Sequence, residues 1–140
     1  MSDYSDLLLL LGAMVAFSLL SVTTAVTFQS NSDIVYNSEV EYRAVALAQG
    51  IIDEMRWFTD EDFFKSNNTQ YYFKNYPETR TISYGSGGNQ YTADYIVSGT
   101  SRLIASTADV NKYEVLINVK NTSTSKDVSA TLQFIKSFKR

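Results

Sequence analysis

From Leu7 to Phe28 the chain runs for 22 residues without a charge, LLLLLGAMVAFSLLSVTTAVTF. As a helix this segment spans roughly 33 Å, about the hydrocarbon thickness of a bilayer. Leaving it in water costs ~25 cal/mol for every Å² of apolar surface exposed, so lipid or protein must cover it. What can cover it decides what the chain can be.

A secretory signal fits poorly. The flank Met-Ser-Asp-Tyr-Ser-Asp is acidic where a signal is basic. The apolar run exceeds the ~7–15 residues usual for a signal, and no small-residue cleavage pattern followed by a breaker comes after it. A permanent anchor is the stronger competitor, but no Lys or Arg precedes Arg43, so neither end of the span has a positive clamp. The second half carries Ser18, Ser21, Thr23, Thr24 and Thr27. Such hydroxyls are expected to bond back to carbonyls of their own helix, and small side chains let helices approach closely. The balance favours packing against other helices over permanent burial in lipid.

A second helical pattern follows. Tyr36, Val40, Ala44, Leu47, Ile51, Met55 and Phe58 recur at spacings of three and four, a single apolar stripe. Glu39 and Arg43 sit on another face as an i,i+4 pair. The first proline is Pro77, so nothing forces a break before Phe58, although Ser30, Asn31, Ser32 and Asp33 could cap a fresh helix instead. The pattern predicts one helix over about residues 5–58, about 75 Å long. Its stripe would hold a head domain, leaving the upstream half without an intramolecular partner.

From Tyr71 the period changes to two. Tyr113, Val115, Ile117 and Val119 alternate with polar residues, as do Val128, Ala130, Leu132 and Phe134, with residues 121–126 as the hairpin loop between them. Tyr71–Phe73, Thr79–Tyr84 and Tyr91–Val97 are further strand candidates, the last two joined by Gly85-Ser-Gly-Gly-Asn89. The expected fold is α+β: the C-terminal half of a long hydrophobic helix packed on four or five antiparallel strands, one sheet face left to solvent or neighbours. Residues 1–30 would form the stem, and 31–140 the helix continuation with its β-rich head.

Composition limits the chemistry. The chain has no histidine and no cysteine, which removes the commonest general base, thiolate nucleophiles and zinc–thiolate sites. No glycine loop, nucleophile motif or paired acid and base stands out, so an enzyme is not expected, nor a cofactor. Asp60, Glu61 and Asp62 lack the spaced oxygen ligands of a calcium loop, and such acids more often open a short helix or lie in water. No basic, aromatic-interleaved strip argues for nucleic acid. The net charge of −3 hides a gradient: residues 33–62 hold eight acids against Arg43 and Arg56, whereas residues 126–140 hold four bases against Asp127. This polarity is expected either of complementary packing between copies or of solvated faces alone. Asn67-Asn-Thr and Asn121-Thr-Ser match the N-glycosylation sequon.

The apolar run, its continuation through Ala44-Val-Ala-Leu-Ala-Gln-Gly-Ile-Ile-Asp-Glu-Met55 and the β-rich head together resemble type IV pilins and pseudopilins. In sequence the resemblance covers about residues 1–58; in architecture it covers the chain. It implies a helical homopolymer on the cell surface with N-terminal helices bundled inside and heads outside. It also implies the inner membrane as a temporary anchor and a pilus assembly machinery as partner. Adhesion, motility, surface attachment or secretion would be the role. The filament core would then comprise Leu7, Leu8, Leu9, Leu10, Leu11, Met14, Val15, Phe17, Leu19, Leu20, Val22, Val26 and Phe28.

The sequence departs from the family in lacking its mid-helix proline and its glutamate at position five, where Ser5 stands between Asp3 and Asp6. No basic leader precedes the apolar run, as expected either of a mature chain or of another export route. In the family that acid meets a neighbour's terminal amine in a dry core. Asp6, or else Asp3, could take the part, or both could solvate the terminus.

Overall fold

The computed structural model describes residues 2–84, 90–123 and 127–139, with the side chains of residues 2 and 3 excepted. Gly85–Asn89, residues 124–126 of the expected hairpin loop and the Asp3 side chain thus lie outside the described residues. The chain divides into two compact units, Met1–Ser38 and Glu39–Arg140, with the boundary inside the first element.

That element, α1, is a helix over Ser2–Arg56. The hydroxyl-rich stretch Ser30–Asp33 does not start a new helix; α1 is helical through it. The sequence explains this. Proline is absent and leucine and alanine are frequent. On either side of that stretch, Thr24, Thr27 and Ser38 turn their hydroxyls onto carbonyls of the preceding turn rather than competing for backbone bonds.

The second unit is an α+β domain. Four strands, β1 (Glu78–Tyr84), β2 (Tyr91–Ser106), β3 (Val110–Asn121) and β4 (Ser129–Lys139), form an antiparallel sheet in sequential order. Its core is shared by the C-terminal part of α1 and the inner sheet face. Val40, Ala44, Ala48, Ile51, Ile52 and Met55 of the helix are buried with Ala93, Tyr95, Val97, Tyr113, Val115, Ile117 and Val119 of the sheet. Ala44 and Ala48 are fully buried within that core. β3 alternates strictly, its odd-numbered residues Tyr113–Val119 inward, because a strand half-covered by a helix buries one face only. Val128, Leu132 and Phe134 are partly buried against the same core.

Two strand expectations are corrected. Tyr71–Phe73 is not a strand; a 3₁₀ helix occupies Tyr72–Asn75, preceded by another at Glu61–Phe64. The physical reason is aromatic density. Tyr71, Tyr72, Phe73 and Tyr76 make a cluster of edge and stacked contacts, with Phe73 5.1 Å by ring centroids from both Tyr72 and Tyr76. Consecutive rings that all turn toward one core cannot alternate across a sheet. β2, in turn, does not stop at Val97 but continues to Ser106, with a register shift between Leu103 and Ala105.

The extension has a consequence. β1 pairs only with Tyr91–Val97, so the rest of β2 would be a bare edge. The 57–77 segment covers it. The Ser101 amide donates to the Tyr71 hydroxyl (3.1 Å), and the Ser101 hydroxyl donates to the Phe64 carbonyl (2.5 Å). Asp60 caps the first 3₁₀ helix by accepting from the Asp62 amide (2.9 Å).

Candidate assembly surface

The first unit presents the apolar segment with no cover of its own. Leu7–Leu11, Met14, Val15, Phe17, Leu19, Leu20, Val22, Val26 and Phe28 are all exposed, from 53% at Val15 to 74% at Phe28. The segment is long and apolar enough to cross a membrane, by length and composition. Its apolar residues occur on every side of the helix, unlike the one-sided stripe of a helix that serves a single core.

The hydroxyls of this segment are self-satisfied. Ser18 donates to the Met14 carbonyl (2.8 Å), Ser21 to Phe17 (2.9 Å), Thr23 and Thr24 to Leu20 (2.9 and 2.8 Å), and Thr27 to Thr23 (2.8 Å). An unmet hydroxyl in a dry environment costs roughly 2–7 kcal/mol, so these back-bonds remove the main objection to desolvating the segment. Asp6 is exposed near its start. The same back-bonding recurs at Ser38, which donates to the Ile34 carbonyl (2.8 Å).

The predicted stripe divides between the units. Val40, Ala44, Ile51 and Met55 are buried in the head core, with Leu47 and Phe58 partly buried against it. Phe58 lies past the end of α1 and stacks on Phe63, ring centroids 4.5 Å apart. Tyr36 belongs to the first unit and is 43% exposed. Sequence reasoning missed Ala48 and Ile52, although both continue the four-residue recurrence from Val40 and Ala44.

The helix is fastened to the head by polar contacts as well. The ammonium of Lys136 donates to the Arg56 carbonyl (2.5 Å), capping the C-terminus of α1, where a cation also suits the helix dipole. The Tyr72 hydroxyl donates to Glu54 (2.9 Å), and burial, then its bonds to Tyr76 and Glu54, push its pKa above the ordinary tyrosine range. Arg43 pairs with Glu39 (2.6 Å) while its guanidinium lies 4.1 Å from the centroid of the Tyr84 ring, a cation–π contact.

The three consecutive acids are committed within the head. Glu61 accepts from Asn111 (2.9 Å) and Tyr113 (2.6 Å), and Asp62 from Lys65 (2.9 Å). The Lys65 bond holds the Asp62 carboxyl below its usual range, and Lys120 does the same for Asp127. A groove of about 520 Å³ lies beside them, lined by Lys65, Asn67, Ser101, Arg102 and Tyr113 among others. Its two cations are already paired, Lys65 with Asp62 and Arg102 with Glu114.

The two sequons differ sharply in setting. Asn67 is exposed in the turn between the 3₁₀ helices. Asn121 is 2% exposed at the end of β3, its amide donating to the Asp94 carbonyl (3.3 Å) and its side-chain oxygen accepting from the Ser123 amide (3.0 Å). No family model, no curated protein and no solved structure matches this chain.

Proposed function

We propose that this chain is the structural subunit of an extracellular helical filament of the type IV pilin kind, held together by its bundled N-terminal helices. One observation carries the reading: the apolar segment is exposed on all sides while its hydroxyls bond back to carbonyls of their own helix. Covering thirteen large apolar side chains there stabilises an assembly by roughly 20–40 kcal/mol before entropic costs. A head with its own core can stand outside such a bundle, because its folding draws nothing from the stem's apolar side chains. The membrane serves as the waiting place of the subunit, and the assembly machinery extracts it.

Negative-stain microscopy of sheared, detergent-free cell-surface material tests this. Filaments labelled by antibody to the head support the reading; recovery only in detergent-solubilised membranes overturns it. The second reading is a single-span membrane protein, or a minor pseudopilin of a secretion apparatus, whose head binds a partner. The length and hydropathy of the segment favour it, since both suit one crossing of a bilayer.

A further inference from the structure

The two sequons match the same pattern, Asn67-Asn-Thr and Asn121-Thr-Ser, but folding puts them to opposite uses. Asn121-Thr122-Ser123 is wound onto Asp94 of β2. The Asp94 carbonyl accepts from the Thr122 amide (3.0 Å), the Thr122 hydroxyl (3.1 Å) and the Asn121 side chain (3.3 Å). The Asp94 amide donates to the Ser123 hydroxyl (2.9 Å). Every polar group of that sequon that glycosyl transfer would need is thus engaged or buried, and a sugar on Asn121 would break the knot closing the β2–β3 ladder. Asn67-Asn68-Thr69 has the reverse character. Asn67 stands exposed in a turn closed by the Asn68 amide on the Lys65 carbonyl (2.9 Å). Thr69 is also exposed, its hydroxyl donating to the Asn68 side chain over a long 3.4 Å. This short turn links the two 3₁₀ helices, where a bulky polar group displaces no core residue.

We infer that Asn67 is an acceptor for an N-linked glycan and that Asn121 is a structural clamp. In the transfer, the Asn67 side-chain nitrogen bonds to the anomeric carbon of a glycan carried on a polyprenyl phosphate or pyrophosphate. The anomeric carbon–oxygen bond breaks, the lipid phosphate leaves with its electron pair, and the amide nitrogen gives up one proton to a base of the transferase. The inference rests on the surface reading above, because the donor and the transferase act on the outer side of the membrane.

The test is peptide mapping of the unsubstituted full-length protein from its native cells, with impermeant-maleimide labelling of a separate Lys74→Cys variant in intact cells. Trypsin separates the sequons, releasing residues 66–74 and 121–126 as different peptides. The expected result is a labelled head with a glycan mass on peptide 66–74. Asn67→Gln and Thr69→Val should abolish that mass, Thr69→Ser should retain it, and peptide 121–126 should be unmodified. A labelled head with an unmodified 66–74 peptide overturns the inference alone, as does a mass that survives Asn67→Gln or lies on Asn121. A head that the reagent does not reach overturns the surface reading, and the inference with it.

Discussion

The ring of Phe73 packs against Gly99 so closely that a Cβ at position 99 would sit 2.1 Å from the Phe73 Cε1 atom. Gly99 is the point in β2 just past the end of β1, and Phe73 covers the strand there in place of a neighbouring strand. Glycine is required by close approach rather than by an unusual backbone angle. Gly99→Ala should destabilise the head by about 1–3 kcal/mol through overpacking. Denaturation of the full chain in detergent would show it. Trimming the ring in a Gly99→Ala/Phe73→Leu double variant should cost less than the two single changes added together. Simple additivity would mean that the two residues are not coupled.

The half-buried Tyr72 hydroxyl, bonded to Glu54, gives the head an alkaline limit. Its folded pKa is raised above the ordinary 10.0, so its contribution is fully present below pH 10. That contribution is lost as pH rises beyond 10, where the unfolded chain releases the proton first. Tyr72→Phe should therefore flatten the fall in stability above pH 10 relative to the parent, measured by denaturant midpoints at a series of pH values. An unchanged slope would remove Tyr72 from the alkaline transition.

Asn121→Ala should cost about 1–3 kcal/mol, since it strips a buried side chain bonded to both Asp94 and Ser123. The matching change at exposed Asn67 should stay within about 0.5 kcal/mol. Thermal melts of the two variants, run side by side, make the comparison. Equal effects would contradict the difference in burial.

Gly50 lies inside α1, with nothing within 4 Å of where a Cβ would stand. Gly50→Ala should stabilise the head by about 0.5–1 kcal/mol, because alanine loses less backbone freedom in a helix and meets no obstacle. If the variant folds more stably yet no longer assembles, that helix face is used against a neighbouring copy.

Phe17→Lys places a charge near the middle of the apolar segment, at a side chain 73% exposed. At the centre of a membrane helix this costs roughly 2.5–3.5 kcal/mol, and in a dry helix bundle an unpaired cation is no cheaper. Membrane retention and filament yield should both fall steeply while circular dichroism shows the head unchanged. A variant that still inserts and assembles would mean that residue 17 faces water.

The local periodic features were legible. A 22-residue uncharged run, the recurrence from Val40 to Met55 and the alternation of Tyr113–Val119 each reflect a single element and a single buried face. The pilin resemblance also rests on such local patterns, in residues 1–58. By contrast, Tyr71–Phe73 looks like a strand because aromatic residues favour strands. What overrode that preference was a cluster closed by Tyr76 and seated on Gly99, which no short window contains.

The sequence by itself determined the two elements whose periodicity is their signature, a long helix with a naked apolar half and a one-faced sheet. Only the tertiary structure decided which glycine must lack a side chain and which residues cover the open edge of β2. It also decided which of the two sequons is buried. Those outcomes join Tyr71 to Ser101, Phe73 to Gly99, and Asp94 to Asn121 and Ser123, pairs separated by more than twenty residues. Hydrophobic period is written into neighbouring residues, whereas close approach and hydrogen-bond commitment exist only once distant strands have met.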